Sequence, residues 1–226
     1  MALSTIGTNS IADTAISTAK IANDAIDNTK LDLTDNYAFT GTITGAGDEA
    51  DFVHLITTTV SSAVASVDFG SSYITSTYKI YKIIFNGVTL SGNDNLAIRI
   101  GAGGTLVTSS DHIKAGMADS HGGTSFGGIS GSSDTMFPLG GHHENMAGSE
   151  IQSGECVLYD LTTNNGNKTC VYQGMVSGQN SYRFMSKGYI RTGSQQCNIL
   201  SVLTAGSENI TAGNISLYGI KQWRNI

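Results

Sequence analysis

Residues 78–85 read Tyr-Lys-Ile-Tyr-Lys-Ile-Ile-Phe, and this stretch indicates the fold of most of the chain. Aromatic and β-branched residues recur in it at a period of two, which is typical of a β-strand. Similar runs occur from residue 52 onward and are separated by turn sequences such as Ser91-Gly92-Asn93-Asp94-Asn95. The predicted strands span Phe52–Thr59, Val64–Phe69, Tyr78–Val88, Leu96–Ile100, Cys156–Leu161, Thr169–Val176, Tyr182–Ile190, Asn198–Thr204 and Asn214–Trp223.

The composition agrees with strands and argues against a helical bundle. The chain has 226 residues with 28 glycines and one proline, and 13% of its residues are charged. Glycine, serine, threonine and asparagine are poor residues for a helix interior. Residues 51–226 are therefore predicted to form an all-β head, an antiparallel, jelly-roll-like β-sandwich.

The first fifty residues differ from the head because isoleucines recur in them at a spacing of five. A spacing of five places successive side chains around a whole helix, or on alternate faces of a strand, so one chain alone cannot bury them. We therefore predict that residues 1–50 form a short, extended shaft in which copies of the chain share a core, with threefold symmetry. The predicted oligomer core consists of Ile6, Ile11, Ile16, Ile21, Ile26 and Leu31.

A long Gly/Ser/His-rich segment, residues 101–154, interrupts the predicted strands of the head. It contains four of the five histidines and the proline, Pro138. Loops of this length are usually functional in compact domains. The sequence leaves two interpretations open, a binding loop or a packed insertion with two extra strands.

Two regions resemble bacteriophage tail fibres. Residues 7–31 and 33–46, with the segment Tyr-Ala-Phe-Thr-Gly-Thr at 37–42, are similar to fibre shaft repeats. The strand at 78–85 and the terminal Ile-Ser-Leu-Tyr-Gly-Ile-Lys at 215–221 resemble the small sandwich domains at fibre tips.

The resemblance implies a virion structural protein, made in the bacterial cytoplasm without a signal peptide and placed on the tail or capsid surface. It implies a homotrimer whose residues 1–50 attach to other virion proteins and whose head contacts a host surface receptor, a polysaccharide or a protein. Two alternatives stay open: a capsid-attached head fibre or decoration protein without a receptor role, and a carbohydrate-degrading enzyme at the tip.

Exposed aromatic and cationic side chains of the head are the candidate receptor contacts. The predicted contacts are Tyr182, Arg183, Tyr189, His142 and His143. Tyr218, Arg191 and Trp223 are further candidates for sugar stacking or interface anchoring. Strand parity requires about half of the strand residues among these to face the core.

The sequence indicates no catalytic residue, cofactor or resident metal. It has no Gly-x-Ser-x-Gly or HExxH motif. The acids of the head considered for glycoside hydrolysis lie mostly in the 101–154 segment: Asp111, Asp119, Asp134, Glu144, Glu150, Glu155 and Asp160. Three copies of one histidine on a trimer axis remain the one arrangement that favours an ion. With a net charge of −6 and no basic cluster, neither nucleic-acid binding nor membrane insertion is expected. Cys156, Cys170 and Cys197 are predicted to be buried free thiols.

Overall fold

A computed structural model describes residues 52–120, 127–140, 146–164, 166–178, 182–192 and 195–221. The predicted shaft, with Ile6, Ile11, Ile16, Ile21, Ile26 and Leu31, lies outside these residues. The described strands are β1 (Phe52–Val60), β2 (Ser66–Phe69), β3 (Ile80–Leu90), β4 (Leu96–Ala102), β5 (Thr105–Leu106), β6 (His112–Ser120), β7 (Gly127–Asp134), β8 (Phe137–Pro138), β9 (Ile151–Tyr159), β10 (Lys168–Ser177), β11 (Tyr182–Arg191), β12 (Ile199–Thr204) and β13 (Ile210–Ile220).

These strands form two packed antiparallel sheets. The larger sheet has eight strands in the order β1-β13-β3-β9-β10-β11-β6-β7. The smaller sheet has five strands, with β2, β12, β4 and β5 in a row and β8 paired to β4. The fold class predicted from the sequence, an all-β antiparallel sandwich, is confirmed.

Alternation along the strands builds the core between the two sheets. In β3, Tyr81, Ile83 and Phe85 are buried, while the residues between them are partly exposed. The smaller sheet contributes Ile98 and Ile100 from β4, both fully buried. A period of two places every second side chain on one face, and the burial of Tyr81, Ile83 and Phe85 shows which of the two faces is inward.

The 101–154 segment is a packed insertion that widens the larger sheet. β6 pairs with β11 over nine residues, from Arg183–Ser120 to Arg191–His112, and β7 pairs with β6 outside it. The short strands β5 and β8 both pair with β4 in the smaller sheet. The described residues of the segment therefore agree with a packed insertion, but they form four strands where two were expected.

Two glycines make room for an aromatic layer in the core. Gly154 and Gly174 face each other across β9 and β10, and Gly154 also pairs with Phe85. A Cβ atom on Gly174 would lie 2.0 Å from the hydroxyl oxygen of Tyr172. That hydroxyl accepts a hydrogen bond of 2.6 Å from Gln152 Nε2, and the Tyr172 ring meets Phe85 edge-on. A side chain at position 174 would overlap the Tyr172 hydroxyl, so glycine is needed there for the tyrosine to occupy its observed position.

We expect Gly174→Ala to lower the free energy of unfolding of the head by about 1–3 kcal/mol, because the new methyl group overlaps the buried tyrosine. Gly70→Ala is the matched control, since no atom lies within 4 Å of a Cβ built there. Urea unfolding followed by tryptophan fluorescence or circular dichroism measures both variants. Equal stability of the two variants would contradict the proposed role of the glycine.

Candidate interaction surface

One face of the eight-stranded sheet packs on the smaller sheet, and the other, here called the outer face, is turned away from the core. Burial alternates accordingly along β10, where Cys170, Tyr172 and Val176 are buried and Val171 and Met175 are exposed. Directly opposed residues in neighbouring strands point to the same face, so the strand register identifies every other side chain on the outer face.

An apolar row crosses the outer face from β1 to β6. Successive Cα partners across the sheet connect Phe52, Ile220, Ile80, Tyr159, Thr169, Ile190 and Ile113. Six of these seven residues are apolar or aromatic. At the β1 edge, the Phe52 ring is stacked on Tyr218, with centroids 4.6 Å apart.

The apolar surface is concentrated on four adjacent strands, β9, β10, β11 and β6. Seven large apolar side chains lie there, each 37–48% exposed. Met175 and Phe184 are direct partners, as are Ile190 and Ile113, so they lie on the same face. We call this set the outer patch: Ile113, Ile151, Tyr159, Val171, Met175, Phe184 and Ile190.

One pair of opposite charges lies beside the outer patch, and Asp119, the Cα partner of Phe184, is an acidic residue at its end. Lys82 Nζ lies 2.5 Å from Glu155 Oε2, across the β3–β9 pair. The same ammonium group lies 5.9 Å from the centre of the Phe52 ring. A surface of this kind offers neither the cations that phosphates require nor a strong field of either sign. It is chemically suited to contact with another apolar protein surface.

The structure places one candidate receptor contact, Tyr189, in the core. Its side chain is 1% exposed, and its hydroxyl donates a hydrogen bond to the carbonyl oxygen of Pro138. Burial raises the pKa of its phenol. In β11 the odd residues from Met185 to Arg191 face inward, which is why Tyr189 is a packing residue. The expectation that it contacts a receptor is wrong for this side chain.

The other candidates are placed only in part. Tyr182 and Arg183 begin β11, where they pair with Ser177 and Val176, and their side chains are not described. His142, His143 and Trp223 lie outside the described residues. Tyr218 is partly exposed on the outer face, as a stacking candidate requires. Of the five predicted contacts, Tyr189 is thus the one whose side chain the structure describes, and it lies in the core.

A cluster of buried polar side chains lies at the end of the larger sheet, on the inner face, which is the face packed on the smaller sheet. Lys168, Arg191 and His112 are cross-strand neighbours and are all buried. Arg191 Nε lies 3.4 Å from Asp111 Oδ2. His112 Nδ1 lies 2.9 Å from the carbonyl oxygen of Asp134, so Nδ1 carries the proton in the neutral ring.

Lys168 is held by hydrogen bonds and His112 is kept neutral, whereas Arg191 Nε and Nη1 are buried without a hydrogen-bond partner among the described residues and only the ion pair with Asp111 compensates the charge. Lys168 Nζ donates to the carbonyl oxygen and hydroxyl of Thr163. Burial lowers the pKa of His112, although Asp111 opposes that shift. Among the described residues no three His, Cys, Asp or Glu side chains are arranged to bind a metal ion. The group is thus built like a structural polar network that closes the end of the sandwich.

Lys187 lies on the same inward face of β11, near a second ion pair. Its side chain is 3% exposed. Lys114 Nζ lies 2.8 Å from Asp134 Oδ2 beside it. Burial, reinforced by the positive charge of Lys114, lowers the pKa of Lys187 to about 8.

The three cysteines are free and buried, as the sequence predicts. Cys156 lies in β9 and Cys170 in β10, and their sulfur atoms are 2.9 Å apart. Burial raises the pKa of Cys156 and of Cys197, which keeps these thiols protonated and unreactive. They contribute as small apolar side chains in the core.

A shallow cleft between β1 and β2 has a volume of about 270 Å³. Its lining is mainly hydroxyl groups, and its one carboxylate, Asp68, accepts a hydrogen bond of 3.1 Å from Ser66. Hydrolysis of glycosides ordinarily requires two carboxylates facing each other across the substrate. The lining of this cleft does not provide that pair.

Comparisons with known protein families, with curated proteins and with solved structures find no match for this chain. Within the part of the chain that the structure describes, no helix is long and apolar enough to cross a bilayer.

Proposed function

We propose that this chain is a structural virion protein, a homotrimeric bacteriophage tail fibre with an N-terminal shaft and a β-sandwich head. The shaft, residues 1–50, attaches to other virion proteins, and the head contacts a polysaccharide or protein of the host surface. Three heads on one shaft bind by avidity, so each single contact can be weak.

The outer patch is the observation that supports a structural role. It is large and apolar, and it carries no cluster of like charges among the described side chains, which are properties of a protein contact surface. The isoleucine spacing of five supports the oligomer independently, because those side chains need counterparts from other copies to be buried. The resemblance of residues 7–46 and 215–221 to fibre segments supports the assignment to a phage particle.

Oligomerisation is tested by light scattering on the full-length chain. We expect a mass three times the 23.6 kDa of one chain. In Ile16→Ser/Ile21→Ser, each shared layer loses its apolar side chains, so the trimer should weaken at least tenfold in dissociation constant while the circular dichroism of the head is retained. Ala12→Ser/Ala19→Ser, which leaves the isoleucines intact, is the matched control and should remain trimeric.

Placement on the particle is tested by electron microscopy of intact virions with a gold-labelled antibody against the head. Label on the tail supports the fibre assignment, whereas label on the capsid favours the head-fibre or decoration alternative. Release of oligosaccharide from host envelope by the purified chain would instead establish the enzyme alternative. A monomeric mass of the full-length chain at micromolar concentration would contradict the trimer.

A further inference from the structure

We propose that the outer patch is the contact through which one head packs on a second copy of the chain. The inference rests on the proposed function for the oligomer and adds to it the surface by which the heads meet. It concerns residues of β9, β10, β11 and β6, which are far along the chain from the predicted shaft.

The size of the patch is the first argument. Neighbouring strands lie about 4.8 Å apart and each residue advances about 3.4 Å, so four strands and eight residue steps span roughly 19 by 27 Å, on the order of 500 Å². The apolar row extends this surface through Ile80, Ile220 and Phe52, on β3, β13 and β1. The row is one residue deep on these three strands, so it adds on the order of 100 Å² and brings the apolar surface to roughly 600 Å², most of the about 800 Å² that a standard interface buries per partner. A monomer rarely leaves an apolar surface of this size uncovered.

Charge is the argument for a copy of the same chain as the occupant. A homotypic contact brings identical charges together, which is costly when a surface carries a net charge. Here Lys82 and Glu155 already form a pair, so these two residues add no net charge to the contact. Asp119, the Cα partner of Phe184, lies at the end of the patch and not at its centre. A nucleic acid or an anionic membrane would require unpaired cations, and a polysaccharide would require converging hydroxyl and amide groups.

Joining the copies through their shafts increases the fraction of heads that are in contact. Copies joined at their N-terminal segments hold their heads at a high effective concentration, on the order of millimolar for a short flexible linker. An apolar contact too weak to dimerise free heads is then populated within the fibre.

Maleimide labelling of single cysteine variants in the full-length chain tests the contact. Val171→Cys places a thiol at the centre of the outer patch, where the native side chain is 39% exposed. Asp68→Cys places one on an exposed position of β2, in the smaller sheet, as the control. The three native cysteines are buried and do not compete. We expect Val171→Cys to label at least tenfold more slowly than Asp68→Cys.

The same two variants are then labelled in the Ile16→Ser/Ile21→Ser background, with the mass measured alongside. If the chain becomes monomeric, the thiol at position 171 should label as fast as the control. If the chain stays oligomeric and position 171 stays protected, the head contact alone holds the copies, which also supports the inference.

Two outcomes overturn the inference and are distinguishable. A trimeric mass with rapid labelling at position 171 leaves the fibre proposal intact and shows that the heads do not meet through this face. A monomeric mass of the unmodified chain, again with rapid labelling, rejects the oligomer of the proposed function together with the head contact.

Discussion

Phe85→Ala should lower the free energy of unfolding of the head by about 3–5 kcal/mol, the usual cost of truncating a fully buried phenylalanine. The ring is 1% exposed, at the centre of the larger sheet, between Ile215 of β13 and Gly154 of β9. Its edge-on partner, Tyr172, is held from the other side by Gln152 and Gly174. The cavity left by alanine cannot close easily, because this tyrosine is fixed.

Phe85→Leu is the matched variant, since it retains most of the buried volume without the ring. We expect it to cost about 1 kcal/mol, in the range of volume-conserving core substitutions. Urea unfolding at a fixed protein concentration measures both, because any coupling to the oligomer depends on concentration. Similar losses for alanine and leucine would show that the aromatic contact, and not the filled volume, sets the cost.

Where the alternation was strong, the sequence predicted the strands closely. The predicted strand Phe52–Thr59 is observed as Phe52–Val60, and Thr169–Val176 is observed as Lys168–Ser177. These runs carry apolar or β-branched residues on the buried face, so local preference and tertiary burial favour the same conformation.

Strands whose sequence lacks that pattern were missed. β7 reads Gly-Gly-Ile-Ser-Gly-Ser-Ser-Asp, and none of its glycines or serines favours a strand. It is a strand because its backbone pairs with β6, which in turn pairs with β11. The first half of β9, Ile151–Glu155, was missed for the same reason. Such pairing is a tertiary contact that the local sequence does not report.

The candidate surface was only partly predictable. Because Val171 and Met175 are an even number of residues apart in one strand, they share a face of the sheet. The spacing does not show which face the smaller sheet covers. The outer patch exists because the two sheets differ in width and only one side of the larger sheet is packed on the smaller. Tyr189 was misassigned for the related reason that aromatic character alone does not decide between the core and a binding surface.

Lys187→Met should raise the free energy of unfolding at pH 7 by on the order of 3 kcal/mol, the second large effect that we expect. The folded protein lowers the pKa of this lysine from 10.5 to about 8, chiefly by burial and further through Lys114. Lowering a pKa by one corresponds to about 1.4 kcal/mol of free energy between the charged and neutral forms. Methionine has a similar length and no charge, so it fills the site without that cost.

The pH dependence identifies the cause. Because the folded-state pKa is the lower one, the unfolded chain binds more protons between about pH 8 and pH 10.5. The contribution of Lys187 to the free energy of unfolding therefore rises as the pH increases across that window. Below pH 8 the lysine is charged in both states, so the full cost of burying the charge remains. The advantage of Lys187→Met should thus be constant below pH 8 and should shrink toward pH 10.5. Other groups that titrate there are shared by both proteins and cancel in the difference.

Lys79→Met is the control, because Lys79 is partly exposed in the segment before β3. We expect it to change stability by less than about 0.5 kcal/mol at every pH, as surface substitutions usually do. The measurement is a series of urea unfolding curves from pH 7 to pH 10.5 for the parent chain and both variants. A stability gain of Lys187→Met that stays constant through pH 10.5 would attribute it to packing, whereas a gain that disappears as the amine loses its proton attributes it to the buried charge.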